Sequence, residues 1–282
     1  MDESLDVSYK MSGKEYFDYH SHHENEIYFF HAGACRYLIH NHIYDLKPGD
    51  ILLMDGLTLH RPNIFPHEPY VRSVVHFSPH IIQDVLNTLG SSYLLDVFKI
   101  STHQLIRTHE NEQSKQLETI IQKMVHIQQS NDAYYETIKT ELKLLLIQAL
   151  IIIHKMLDVN QLNDTRTHSP KSEHAERIAT YIQDHFMKPL NLHVISEALN
   201  LSKSYASHLF KEMTGFTMME YVMECRLNHA KYLLEIKPKK SIKKIAYDCG
   251  FESASHFSRY FRSKVGKTAR AYRQYRLETF SP

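Results

Sequence analysis

Apolar residues in the first quarter of the chain come in short runs about ten residues apart. Ile27-Tyr28-Phe29-Phe30, Arg36-Tyr37-Leu38-Ile39, Ile51-Leu52-Leu53-Met54 and the segment 71–77 read as strands, and Lys47-Pro48-Gly49-Asp50 supplies turn chemistry before the third. Short strands at that spacing over residues 16–77 predict a sandwich or barrel. The period then changes. Residues 79–157 read as helical, with one helix over 112–129 and a stronger one over 133–157. The second carries a wide apolar stripe of Ile138, Leu142, Leu145, Leu146, Ala149, Ile152, Ile153 and Met156, which either packs on the β-domain or forms a dimer interface. Residues 158–172 are polar, contain Pro170 and lack periodicity, so they read as a linker. Helical patterning resumes at Glu173.

The last third contains an internal repeat. Six positions match at an offset of 51: Ser202/Ser253, Ser204/Ser255, Ser207/Ser258, Phe210/Phe261, Lys211/Arg262 and Gly215/Gly266. Upstream the offset is 50, pairing Ile195/Ile245, Ser196/Ala246, Asn200/Gly250 and Leu201/Phe251, so the second copy has one extra residue, Glu252, in its turn. A repeat that holds its spacing within helices and slips at a turn is a duplicated structural unit. Each copy reads as a helix-turn-helix, about 191–213 and about 241–265, with a serine N-cap opening its second helix.

In the first copy Ala206, Leu209, Phe210 and Met213 fall on the inward face, and Ser204, Ser207, His208 and Lys211 on the outward one, with Lys203 beside them. In the second, Phe257, Tyr260 and Phe261 face in, and Ser255, Ser258, Arg259 and Arg262 face out. Short hydroxyls let a backbone approach DNA, lysine suits phosphate, and Arg259 suits a bidentate contact with guanine; the plain alternative for each is a solvated helix face. Between the copies, 217–235 reads as one helix of roughly 28 Å. It separates the two recognition helices by about one DNA turn, roughly 34 Å. Lys237, Lys239, Lys240, Lys243 and Lys244 follow it and are expected near phosphates.

The 282 residues allow one or two domains. The net charge of +1 hides an asymmetry: from Lys171 onward 19 Lys and Arg face 11 Asp and Glu, a net +8, while residues 1–170 carry a net −7. A basic module on an acidic carrier suits a polyanion ligand. Cys35, Cys225 and Cys249 have no metal-type spacing and read as reduced thiols of a cytoplasmic protein. The acidic, polar start is unlike a secretory signal, and the longest apolar run, 144–153, is too short to span a bilayer, so no membrane association is expected.

The segment 178–273 resembles the DNA-binding domain of the AraC/XylS family of bacterial transcription regulators. The resemblance rests on Tyr181-Ile182, Ser202-Lys203-Ser204-Tyr205, Leu209-Phe210-Lys211, Gly215, Tyr221, Arg226-Leu227, Ala230, Leu233-Leu234, Ile242, Ile245-Ala246, Gly250-Phe251, Phe257-Ser258-Arg259-Tyr260-Phe261, Gly266 and Tyr272-Arg273. Ser196 and Ala269 depart from the family's usual Ala and Pro. In the first domain, His20-x-His22-x3-Glu26-x6-Gly33 resembles the first cupin motif, and Pro48-Gly49-Asp50 with His60-Arg61-Pro62 the second. The resemblance implies a cupin-like sensor with a small-molecule pocket inside its barrel. His20, His22, Glu26 and His60 are then a transition-metal set, polar pocket residues or structural residues, with Tyr28, Arg36 and Tyr37 as further pocket candidates.

These readings predict an α+β multidomain protein: cupin-like sensor 1–78, helical dimerisation segment 79–157, linker 158–172, and all-α DNA-binding domain 173–282 with two helix-turn-helix motifs joined by a helix. The implied function is a transcription regulator, an activator by family tendency, responding to a sugar or other metabolite. Its expected partners are a double-stranded DNA operator, a second copy of the chain and RNA polymerase, with no cofactor, bound metal or catalytic residue. The alternative is a cupin metalloenzyme fused to a DNA-binding module. A DNA-repair regulator is a third reading, but no cysteine sits in a nucleophile setting.

Overall fold

The computed structural model describes residues 5–12, 24–55, 58–65, 67–98, 103–108, 111–129, 135–160 and 169–280. The chain divides near residue 167 into two compact units.

The first unit is built on two antiparallel sheets. Its strands are β1 (Leu5–Ser12), β2 (Asn25–Gly33), β3 (Cys35–Ile39), β4 (His42–Leu46), β5 (Ile51–Met54), β6 (His60–Ile64), β7 (Tyr70–Phe77) and β8 (His103–Ile106). One sheet runs β1-β7-β2-β5-β8 and the other β4-β3-β6. Alternate residues of each strand point to opposite faces, and here both faces of the larger sheet are buried. Tyr28, Phe30, Leu52, Met54 and Val74 join Cys35, Tyr37, Ile39, Tyr44 and Leu46 in one core. Ile27, Phe29, Ile51, Leu53, Val75 and Phe77 face the other way, into a core shared with helices. This is why β2 and β5 read as unbroken apolar runs.

The helical part begins with α1 (His80–Thr88) and a 3-10 turn, Ser92–Phe98, then after β8 continues with α2 (Glu112–Gln129) and α3 (Tyr135–Asn160). Helix α2 has the predicted bounds. Of the α3 stripe, Leu142, Leu146, Ile152, Ile153 and Met156 are buried against α2 and the sheet; Leu144 and Ile151, beside the stripe, are exposed. The segment read as a linker is helical at both ends. Helix α3 runs to Asn160, and α4 (Pro170–His185) starts with Ser169 as N-cap and Pro170 in its first turn. Ser-Pro is a helix-start signal because proline lacks only an amide that would be unpaired there.

The second unit contains α4, α5 (Leu192–Ala198), α6 (Lys203–Thr214), α7 (Met218–Ile236), α8 (Ile242–Asp248), α9 (Ala254–Val265) and α10 (Ala269–Phe280). Helix α7 opens with a capping box between Thr217 and Glu220 and is fastened along its length. Tyr221 accepts a hydrogen bond from Gln183 of α4 at 2.7 Å, and Arg226 donates to the carbonyls of Phe186 and Lys188. On the other flank Glu224 accepts from Tyr260 of α9, and Glu235 from Tyr272 and Arg276 of α10.

Candidate nucleic-acid interface and sensor chamber

The two copies of the repeat are built by the same local chemistry. Ser202 and Ser253 cap α6 and α9 by accepting the amides of Tyr205 and His256, and Gly215 and Gly266 end these helices in the left-handed conformation. The turns also correspond. Asn200 and Gly250, paired at the offset of 50, have φ of 56° and 84°. The second turn is one residue longer, with Glu252 between Phe251 and the capping serine. Gly250 has a further constraint: a Cβ there would stand 2.8 Å from the carbonyl oxygens of both Phe186 and Met187.

The inward faces are buried at Ala206, Leu209, Phe210 and Met213 in α6 and at Phe257 and Phe261 in α9. Tyr260 is half-buried. On the other face Lys203, Ser204, His208, Lys211, Ser255, Ser258, Arg259 and Arg262 are exposed, and Ser207 is half-buried. Two of these side chains also bond to their own helix: His208 Nδ1 lies 2.9 Å from the Ser204 carbonyl, and Ser258 donates to the Ala254 carbonyl. The expectation for the connector lysines changes in part, because Lys240 and Lys244 both pair with Asp248.

In the first unit the structure brings Glu26, Tyr28 and His60 into the layer between the sheets. Glu26 Oε2 lies 3.1 Å from His60 Nε2 and 3.3 Å from His76 Nε2. The Tyr28 hydroxyl donates to that of Tyr70 at 2.8 Å, and the Tyr28 and Tyr37 rings meet edge-on. Arg72 lies over the Tyr70 ring, its guanidinium carbon 4.9 Å from the centroid. Burial works against the imidazolium form of His60 and His76, but the Glu26 carboxylate outweighs it and holds both above the ordinary histidine value.

Arg36 does not join this layer. It alternates with the inward Cys35 and Tyr37, and its Nε donates to Asp45 at 2.8 Å. His20 and His22 lie outside the described residues. Among the described residues no group of three His, Cys, Asp or Glu has a metal-holding arrangement. Pro48-Gly49-Asp50 makes a turn in which Asp50 accepts the Lys47 amide and pairs with Arg107 at 3.2 Å. Sequence reasoning missed His76, Tyr70 and Arg72. The period of two along β7, with Val74 inward, is the signal that would have placed Arg72 and His76 on the face toward the second sheet.

On the opposite face of β2 and β7, His31 Nε2 lies 2.7 Å from Ser73 Oγ, with Glu118 of α2 4.0 Å from the other ring nitrogen. Residue types alone suggest a hydrolytic triad. Ser73, however, is fully buried and accepts the Lys10 amide, so this group fastens β1 and α2 to the sheet.

The chain matches two families: an AraC-like ligand binding domain over residues 5–146 and a helix-turn-helix domain over residues 195–275. The uncharacterized HTH-type transcriptional regulator YdeC of Bacillus subtilis is 24% identical over 262 residues, covering 92% of this chain and 87% of that protein. The HTH-type transcriptional activator RhaS of Mannheimia succiniciproducens is 25% identical over 275 residues, covering 92% and 90%. Among solved structures, apo ToxT from Vibrio cholerae aligns over 97% of this chain and 98% of its own, at 16% identity and a TM-score of 0.41. With a ligand-binding domain matched over half its length and a duplicated helix-turn-helix behind it, the chain belongs to the AraC family of DNA-binding transcriptional regulators.

Proposed function

We propose that the chain is a cytoplasmic transcription activator that works as a homodimer, reads its operator with both α6 and α9, and answers to a small molecule taken up between the two sheets of the first unit. The observation that carries the reading is the pair of capped recognition helices, each with an exposed polar or basic face. Ser204, Ser207, His208 and Lys203 with Lys211 serve the first half of the site, and Ser255, Ser258, Arg259 and Arg262 the second. Footprinting tests it. Protection is expected in two successive major grooves per monomer. Arg259→Ala should cost about 1–3 kcal/mol and relax specificity at one position, while Lys211→Ala weakens binding uniformly. Protection of one groove, with α9 mutated at no cost, refutes it.

The effector site is assigned to Glu26, Tyr28 and His60, with His76, Tyr70 and Arg72 added from the structure and Arg36 left out; His20 and His22 remain its proposed members from the undescribed segment. These groups supply a few polar contacts in an apolar layer, the usual make-up of a small-molecule site. The reading needs no metal. Calorimetry with a screened ligand after chelation should show binding to the wild type and its loss in Glu26→Ala. Loss on chelation alone would favour the metalloenzyme alternative. Enzymatic roles have little support: burial pushes the thiols of Cys35, Cys225 and Cys249 up, the last to about 12, so none is an activated nucleophile. Activation implies RNA polymerase as a further partner. Among the described residues no helix is long and apolar enough to cross a membrane.

A further inference from the structure

A depression on the second unit is lined by Ile242 of α8, by Ser258, Arg259 and Arg262 of α9, and by Thr268 and Arg270 where α10 begins. The second unit has seven arginines. Three are spent inside the fold: Arg226 and Arg273 donate to backbone carbonyls and Arg276 pairs with Glu235. Three others, Arg259, Arg262 and Arg270, are exposed and converge on this depression, with no carboxylate among the described residues lining it. Converging like charges repel, so the arrangement costs stability unless an anion fills it. A guanidinium fork matches two oxygens of a phosphate.

The repeat supplies an internal comparison. At the offset of 51, Arg259, Arg262, Thr268 and Arg270 fall on His208, Lys211, Thr217 and Met219. The backbone is duplicated there as well: Thr217 Oγ1 accepts the Glu220 amide at 3.2 Å and Thr268 Oγ1 the Ala271 amide at 3.1 Å. The scaffold is therefore common to both copies, and the full set of cations belongs to the second alone.

We propose that this depression is a clamp for a backbone phosphate of DNA, present only in the second copy, with Arg262 and Arg270 as its jaws. It makes the two halves of the interface unequal. The second copy anchors the protein and carries most of the salt dependence, leaving Arg259 free to turn to a base edge. The first copy contributes sequence readout on a weaker phosphate grip. The inference rests on the DNA-binding reading above and adds Arg270, which lies outside both recognition helices.

The test is fluorescence anisotropy of the full chain on mixed-sequence duplexes spanning two major grooves, titrated with KCl. Arg270→Met, the residue the other copy carries, should lower the slope of log affinity against log salt by about 0.9 and weaken every duplex alike. Met219→Arg should raise the slope by a similar amount. Arg270 is exposed and Met219 half-exposed, so both proteins should fold, with melting checked for each; if Arg270→Met fails to fold, Met219→Arg decides alone. An unchanged slope in either folded variant overturns the clamp, and so does a loss confined to one base-pair substitution, which marks a base contact. Absence of duplex binding by the wild type overturns the DNA reading and the clamp together. A thermal shift with inorganic phosphate, lost in Arg270→Met while duplex slopes stay equal, would assign the depression to a free anion instead.

Discussion

Single residues in the second unit have roles that stability measurements can separate, in two cases. Gly250 and Gly266 both have positive φ, 84° and 73°, but among the described residues a Cβ at Gly266 meets nothing within 4 Å while one at Gly250 meets backbone at 2.8 Å. Gly266→Ala should cost only the left-handed penalty, about 1–2 kcal/mol. Gly250→Ala should cost clearly more, because the end of α4 must also move. Equal losses by chemical denaturation would show that the close approach is unimportant. Ser196 is the second case. Its side chain is 1% exposed, its hydroxyl finds no hydrogen-bond partner among the described residues, and its counterpart in the repeat is the fully buried Ala246. Removing an unsatisfied hydroxyl relieves a desolvation cost, so Ser196→Ala should stabilise the second unit by about 1 kcal/mol. A loss of stability would mean that the hydroxyl has a partner, such as water.

At the scale of elements, the Glu26–His60–His76 group ties β2, β6 and β7 together and gives the first unit a pH signature. His60 and His76 are raised above 6.5 in the folded chain. Their contribution is fully present below about pH 6.5 and is lost as pH rises through the raised values. His31 behaves oppositely: burial lowers it to about 4, so stability is lost as pH falls from about 6.5 toward 4. The first unit's melting temperature should therefore peak near pH 6.5, and Glu26→Gln should flatten the alkaline side while sparing the acid side. An unaltered alkaline limb would detach Glu26 from the effect. The same elements show what the sequence made legible. The four strands recognised beforehand, β2, β3, β5 and β7, are the interior strands of their sheets. The four not singled out, β1, β4, β6 and β8, are the edges. Interior strands pair on both sides and pack continuous apolar runs, which periodicity detects. Edge strands interleave polar residues, as in Leu5–Ser12 and His42–Leu46, and tolerate Pro62, which argues against a strand when read alone. The helix pairs of the repeat were readable to within a residue or so because their caps and turns are fixed by local chemistry. The polar group between the sheets was only partly readable, since His76 reaches Glu26 through strand pairing between distant segments.

At the scale of the whole molecule, most of the α3 stripe is taken up by the core, so we expect a dimer contact through α3 to centre on Leu144 and Ile151, which are exposed and seven residues apart on one face. Leu144→Glu with Ile151→Glu should convert a dimer into a monomer in sedimentation without unfolding, whereas Ile152→Glu, buried in the core, should unfold the first unit. A dimer that survives the double substitution would place the interface elsewhere. Helix α7 sets a different kind of limit. Because it is bonded to α4 along one stretch and to α9 and α10 along another, it acts as a ruler of fixed length and fixed phase. Adding one residue would swing the second reader by about 100° around the axis, and four would nearly restore its phase but leave it about 6 Å too far along. The segment can thus drift in composition but not in length. The two half-sites one monomer reads should keep an invariant gap, so its binding sites in a genome can be sought with a single ungapped pattern.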